Sequence, residues 1–192
     1  QPAPPPPADQ PSPPPADQPA PPATAAPAPS PTAEPTPSPT AEPTAKPAEV
    51  VVDERAKGFK GEAKVKWYDG PDGCGEQGHA LWTYTATGDD DSENVGRWQP
   101  KLDAEAMYDV YVGIPGCAGR KPNTAGARYR VHHRDGDKEI VVDQAASAGQ
   151  WVLLGRFPFR KGDDGFVELR DRTGEDMLTI WFDAVRWVPA KD

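Results

Sequence analysis

Few residues of this 192-residue chain could carry out covalent or acid–base chemistry, and they form no known catalytic motif. The part of the chain after residue 50 holds two serines, Ser92 and Ser147, and all three histidines, His79, His132 and His133. It has no GxSxG elbow, HExxH helix or phosphate-binding glycine loop. His132 and His133 are neighbours in a predicted strand, so they point to opposite faces and cannot share one metal ion. These observations favour a protein that is not an enzyme.

Acidic residues are numerous, but most lie in predicted turns, where Asp forms Asx turns and stays solvated. The densest run is DDDSEN at residues 89–94. It supplies the oxygen ligands that Ca²⁺ requires, although it lacks the EF-hand spacing. We therefore expect either a solvated loop or a structural Ca²⁺ site formed by Asp89, Asp91 and Glu93, and no other cofactor.

Aromatic residues offer a different chemistry, because exposed rings stack on sugar faces when polar groups lie beside them. All six tryptophans follow residue 50, and most must be buried because one domain cannot expose them all. Trp67, Tyr68 and Trp82 flank the loop that contains Cys74. We expect these three rings to be exposed and to bind a ligand.

The two cysteines, Cys74 and Cys117, each lie in a glycine-rich loop. They lack the CxxC spacing of a zinc site. In an exported protein they are expected to form a disulfide, which would stabilise the fold by about 4 kcal/mol in the chain-entropy model. Two free thiols are the alternative.

The chain has two parts of different composition. Twenty of its 26 prolines lie in the first 50 residues. Residues 1–49 contain no aromatic residue and too little apolar surface to fold alone. They repeat with a period of eight, as PPPADQP at 5–11 and 13–19 and as PSPTAEPT at 29–36 and 37–44. We expect a polyproline II stalk in residues 1–49 and one folded domain in residues 50–192.

The stalk has three possible roles. It can act as a passive spacer, carry O-linked glycans on the Ser and Thr residues beside its prolines, or dock on a partner as an extended ligand. The net charge of −9 argues against nucleic acid, which needs a basic face. No apolar run is long enough to span a membrane. A chain that begins at Gln1 without Met is expected to be a processed, exported product.

After residue 50 the pattern changes to short alternating apolar runs separated by turn residues, which is typical of an all-β sandwich or barrel. The predicted strands are 50–53, 63–68, 80–85, 95–98, 107–113, 127–134, 139–143, 151–159, 166–171 and 178–188.

Two of these predictions are specific. Strands 127–134 and 139–143 should form a hairpin around Asp135-Gly136, with His133 on its apolar face. Strand 178–188 is apolar on both faces and should be central and covered. Asp183 lies in this strand, so its carboxylate should be satisfied by Arg186 or by backbone N–H groups.

An ordered series of motifs resembles the golvesin C-terminal-like domain. This domain is also found in xanthan lyases, where it follows the lyase in the same chain. The motifs are WQP at 98–100, YDVYV at 108–112, YRVHHRDG at 129–136, VDQ at 142–144, GQWVLLGRFPF at 149–159 and DAVRW at 183–187. The resemblance implies a jelly-roll-type antiparallel β-sandwich similar to carbohydrate-binding modules. It supplies no ligand-contact residues.

These observations predict a non-catalytic binding module, secreted or on the cell surface, that binds polysaccharide or a cell-surface glycan and is displayed on the stalk. The alternative is a structural subunit or adhesin of an extracellular filament or surface assembly. In that alternative the proline-rich tail packs on copies of the chain or on another surface subunit.

Overall fold

A computed structural model describes residues 46–87 and 92–191. The stalk up to residue 45, together with Asp89 and Asp91 of the expected Ca²⁺ site, lies outside the described residues. Strands dominate the described residues, and the one helical element is a short 3-10 turn, Glu76–Gly78. No helix among the described residues is long and apolar enough to cross a membrane.

Within residues 46–87 and 92–191, twelve strands form three antiparallel sheets. The four-stranded sheet has the order β1 (Val50–Asp53), β12 (Ala184–Pro189), β6 (Ala106–Ile114) and β9 (Gln150–Phe159). The five-stranded sheet has the order β2 (Phe59–Ala63), β5 (Asn94–Trp98), β10 (Phe166–Arg170), β7 (Ala127–His133) and β8 (Gly136–Val142). The three-stranded sheet has the order β11 (Thr179–Phe182), β4 (Leu81–Tyr84) and β3 (Tyr68–Asp69).

The four-stranded and five-stranded sheets share one apolar core, so the predicted sandwich is confirmed. Burial alternates along β6 as the two-residue period requires, with Tyr108, Val110 and Val112 turned inward. Tyr129 and Val131 of β7 enter the same core from the other sheet. The larger rings of both sheets, among them Trp98 and Trp187, are fully buried there.

The last predicted strand, 178–188, proves to be two strands that separate at Asp183. β11 pairs with β4, whereas β12 pairs with β1 and β6. The expectation of a central, covered strand is correct for β12, which has a strand on each side. The chain therefore changes sheets at Asp183, and the indole Nε1 of Trp98 donates a hydrogen bond to its carbonyl oxygen at 2.9 Å.

The predicted strand 63–68 is wrong. The chain instead forms β2, which ends at Ala63, and resumes as β3 at Tyr68. Strand β2 is a solvent-facing edge of its sheet, and four of its five residues are exposed. Its FKGEA sequence has little apolar alternation, so the hydrophobic pattern gave no signal for it.

The predicted hairpin around Asp135-Gly136 is present as β7 and β8, with Tyr129 opposite Ile140. His133, expected on the apolar face, is only half-buried and packs its ring against Phe157 at 5.0 Å. His132 lies on the opposite face, stacked on Phe166 and in contact with Asp137.

Candidate functional site

A disulfide ties the loop between β3 and β4 to the loop between β6 and β7. Cys74 and Cys117 are bonded, with Cα atoms 5.8 Å apart, so the alternative of two free thiols is set aside. Gly75 precedes the 3-10 turn with a φ of 83°, and a Cβ there would overlap the carbonyl oxygen of His79. Only glycine fits this position. The disulfide and the turn thus fix the positions of Tyr68, before the loop, and His79, after it.

Four aromatic residues of the three-stranded sheet form a cluster beside this loop: Tyr68, Trp82, Tyr84 and Trp181. The rings of Tyr68 and Trp82 are stacked, with centroids 4.4 Å apart and planes 19° apart. Tyr84 meets these two rings edge-on, at 5.9 and 5.3 Å. The indole Nε1 of Trp82 donates to the carbonyl oxygen of Asp69 at 3.1 Å. The stacking and this hydrogen bond hold the aromatic cluster rigid.

The structure separates the three aromatic residues that were expected to be exposed together. Trp82 is only 5% exposed, so that expectation is wrong for it: β4 is the central strand of its sheet, and Tyr68 covers the indole. Trp67 is half-buried and packs edge-on against Phe182 of the main core, with centroids 4.5 Å apart. Neighbouring residues of an extended chain point to opposite sides, which is why Trp67 and Tyr68 part.

An open groove of about 320 Å³ lies at the exposed side of the aromatic cluster. We call it the tyrosine groove; its lining includes Lys66, Tyr68, Tyr84, Thr87, Glu93 and Asp176. The ammonium of Lys66 lies over the Tyr68 ring, 5.1 Å from its centroid. Neither phenol oxygen has a hydrogen-bond partner among the described residues. The groove therefore combines aromatic surface with free polar groups of several kinds.

Sequence reasoning did not choose Tyr84 as a candidate, although a signal for it was present. Tyr84 follows Trp82 by two residues in a predicted strand, and residues two apart share one face. Because the strand ends at Tyr84, this ring reaches the groove while Trp82 remains buried.

Glu93, one of the three expected Ca²⁺ ligands, lines the tyrosine groove. Its backbone N–H and that of Asn94 donate to the two carboxylate oxygens of Asp171, at 3.1 and 2.7 Å. Asp171 is fully buried, and this burial raises the pKa of its carboxyl group, although the two backbone hydrogen bonds oppose the rise. A buried carboxylate therefore fixes the start of β5 next to the groove.

A second group of polar residues surrounds His79. Asp53 and Glu54 come from the end of β1, and one ligand atom from each of Asp53, Glu54 and His79 lies within 4.8 Å of the others. The Nδ1 atom of His79 contacts Oε1 of Glu54. Desolvation raises the pKa of Glu54, and the contact with His79 opposes this rise. We call these three residues the His79 cluster.

Asp183 lies near the His79 cluster and is only 5% exposed. Its Oδ1 accepts a hydrogen bond from the backbone N–H of Glu76 at 2.9 Å. A backbone N–H group was one of the two kinds of partner expected for Asp183. Arg186, the other expected partner, instead lies over the rings of Tyr111 and Trp151, at 4.6 and 4.5 Å. Burial raises the pKa of Asp183 to about 7.

Comparison with known families matches residues 50–189 to the golvesin C-terminal domain. The chain belongs to the golvesin C-terminal domain family. A search of characterised proteins finds xanthan lyase of Bacillus sp. (strain GL1), 30% identical over 90 residues, which are 46% of this chain and 9% of that protein. The chain thus spans about a tenth of the length of this relative.

Among solved structures, the golvesin C-terminal domain is similar to part of a Paenibacillus xanthan lyase. The TM-score is 0.63 and the sequence identity 20%, over 75% of this chain and 13% of that one. This likeness supports the fold. The family motifs place their large residues in the core, where Trp98, Tyr108 and Trp187 are buried. Tyr68 and Tyr84 lie outside those motifs but within the matched range of residues 50–189.

Proposed function

We propose that this golvesin C-terminal domain is a non-catalytic module that binds polysaccharide, and that the glycan lies in the tyrosine groove. The observation that carries the proposal is the pair of half-buried rings, Tyr68 and Tyr84, held rigidly by Trp82 at the edge of an open groove. Rings fixed before binding lose little conformational entropy when a sugar stacks on them.

The polar groups of the groove suit a carbohydrate. Sugar hydroxyls both donate and accept hydrogen bonds, and the groove offers the ammonium of Lys66, the phenols of Tyr68 and Tyr84, and the carboxylates of Glu93 and Asp176. Lys66 is exposed and covers one side of the Tyr68 ring, so a sugar would displace its long side chain. The groove is open to solvent, which suits an internal segment of a polymer better than an enclosed pocket would.

The comparisons support a carbohydrate-associated role. The relatives found in sequence and in structure are xanthan lyases, enzymes named for a polysaccharide. This chain corresponds to about a tenth of such an enzyme, and the family is a non-catalytic domain type. We propose that the module acts outside the cell or at its surface, with residues 1–49 as a stalk.

Affinity electrophoresis of the full chain tests the proposal, in gels that contain xanthan, dextran or no polysaccharide. We expect xanthan to retard the wild-type chain. Tyr84→Ala should weaken binding by about two- to tenfold, because aromatic stacking contributes about 0.5–1.5 kcal/mol beyond area burial. Tyr111→Ala, which removes a ring from the outer face of the four-stranded sheet, serves as the matched control and should bind normally. Equal retention of the wild type and Tyr84→Ala would exclude the tyrosine groove.

A second measurement distinguishes the binding module from the alternative role, a structural subunit of a surface assembly. Sedimentation velocity of the same sample reports whether the chain is a monomer. A monomer that is retarded by polysaccharide supports the binding module. Filaments or large oligomers without retardation would instead support the structural subunit.

A further inference from the structure

The His79 cluster joins two distant parts of the chain. Asp53 ends β1 and Glu54 follows it, whereas His79 follows the 3-10 turn in the loop between β3 and β4. Asp53 and Glu54 are buried and His79 is half-buried. The ligand atoms, two carboxylate oxygens and one imidazole nitrogen, lie within 4.8 Å of one another, which is close enough to surround a single ion.

One atom of the cluster is left without a partner. The side chain of Glu54 has no solvent exposure, and its Oε2 has no hydrogen-bond partner among the described residues. Leaving a buried carboxylate oxygen unsatisfied is costly, and such atoms call for an ion or a donor. Asp183 and Glu76, which also bear carboxyl groups, interact electrostatically with this region, so a cation would relieve repulsion among several acidic groups.

The other atoms around the cluster hold its ligands in place. The Oδ1 of Asp53 accepts from the backbone N–H of Arg55 at 2.8 Å, and its Oδ2 accepts from Nε2 of Gln77 at 2.6 Å. Such outer hydrogen bonds orient carboxylates that bind metals. The contact between Nδ1 of His79 and Oε1 of Glu54 places two ligand atoms side by side, as they are at adjacent corners of a coordination shell.

We propose that Asp53, Glu54 and His79 bind one divalent transition-metal ion, with Zn²⁺ the best match. A set of one imidazole and two carboxylates suits Zn²⁺, which takes about four ligands, whereas Ca²⁺ prefers six to eight oxygens. Three protein ligands leave a fourth position for water. This site is separate from the tyrosine groove and from the Ca²⁺ loop expected at Asp89–Glu93. Metal binding would connect the end of β1 to the loop between β3 and β4.

Isothermal titration calorimetry tests the site on the full chain, first stripped with EDTA and then titrated with ZnCl₂, CaCl₂ or MgCl₂ alone. We expect the titration to show one Zn²⁺ bound per chain and no comparable binding of Ca²⁺ or Mg²⁺. Thermal denaturation should show a higher melting temperature with Zn²⁺ than with Ca²⁺ or Mg²⁺. Glu54→Gln and His79→Gln should each weaken Zn²⁺ binding at least about tenfold, since even outer-shell changes cost about 10- to 100-fold. His132→Gln is the matched control, because it removes another histidine that contacts a carboxylate, and it should bind Zn²⁺ like the wild type.

Failure of the wild type to bind Zn²⁺ would overturn the proposal, as would unchanged binding by both variants or tighter binding of Ca²⁺ than of Zn²⁺. If Glu54→Gln does not fold, the visible spectra of the Co²⁺-loaded wild type and of Co²⁺-loaded His79→Gln test the site instead. Ligand-field bands of a four- or five-coordinate ion that are lost in His79→Gln support the site. A spectrum of six-coordinate aqueous Co²⁺, or bands that survive in His79→Gln, rejects it.

Discussion

The tyrosine groove and the His79 cluster both include residues next to or within the loop between β3 and β4, yet they differ in exposure and charge. The groove presents two half-buried, uncharged rings, Tyr68 and Tyr84, to solvent. The cluster buries ionisable groups, and desolvation raises the pKa values of Glu54 and Asp183. The two regions therefore adjoin one loop but have different physical requirements.

This contrast separates two kinds of binding. A rigid, partly exposed aromatic surface costs little to maintain without ligand, so it suits reversible contact with a weakly bound polymer. A buried acidic group destabilises the fold unless a cation, a proton or a hydrogen-bond donor compensates it. The tyrosine groove is therefore suited to recognition. The His79 cluster is suited to stabilising the fold once its buried acidic groups are compensated.

Removal of the disulfide should have the largest effect, because both regions adjoin the loop that it ties to the rest of the domain. The bond joins residues 43 apart in the sequence. Cys74→Ser with Cys117→Ser should lower the free energy of unfolding by about 4 kcal/mol in the chain-entropy model. Urea denaturation measures this loss. Polysaccharide and Zn²⁺ binding should both weaken in the same variant. A loss confined to one of the two would show that the regions do not share the loop as a support.

The pH dependence of stability should be the second largest effect. Folding raises the pKa of Asp183 from about 3.8 to about 7, so between these values the folded chain keeps a proton that the unfolded chain has lost. Its contribution to stability is therefore present at low pH and lost as the pH rises towards 7. In EDTA, the wild type should lose about 3 kcal/mol more than Asp183→Asn between pH 4 and pH 7.5. Parallel pH profiles for the two proteins would contradict the raised pKa.

Trp67 and Tyr84 should show opposite behaviour when each is replaced by alanine. Trp67→Ala removes a ring that packs on Phe182 and should cost about 2 kcal/mol of stability while leaving polysaccharide retention unchanged. Tyr84→Ala should weaken polysaccharide retention and change stability less than Trp67→Ala does. Thermal denaturation beside affinity electrophoresis checks both. Loss of retention in Trp67→Ala at a temperature where it is folded would move the binding surface away from the groove.

His132→Gln should have the smallest effect. His132 and Asp137 are exposed partners on the five-stranded sheet, and such pairs contribute less than about 1 kcal/mol. Its stability, polysaccharide retention and Zn²⁺ affinity should match the wild type. A melting temperature well below that of the wild type would show that the pair of His132 and Asp137 stabilises the fold by more than exposed ion pairs usually do.

The sequence was sufficient for most of the fold. Alternation of apolar residues located the strands that face the core, such as β6 and β7, because one buried face imposes a two-residue period. It missed β2, since an exposed edge strand has no buried face to reveal it. It also merged β11 with β12, because both faces of β11 are buried and no periodic signal marks the change of sheet at Asp183.

The candidate site was only partly predictable. The position of Tyr68 beside the Cys74 loop could be inferred, but the burial of Trp82 depends on Tyr68 stacking over it, which no local pattern encodes. Tyr84 could have been found by strand parity. The gathering of Asp53 and Glu54 with His79 could not be predicted, because 25 residues separate Glu54 from His79 and only the folded loop between β3 and β4 brings them together.

The most direct test of the account is to locate the bound glycan by NMR. Backbone amide shifts of the ¹⁵N-labelled full chain would be followed as xanthan oligosaccharide is added. We predict that the largest shifts fall on Lys66, Tyr68, Tyr84 and Glu93, around the tyrosine groove. Shifts centred instead on Tyr111, Trp151 and Arg186, on the outer face of the four-stranded sheet, would contradict the account.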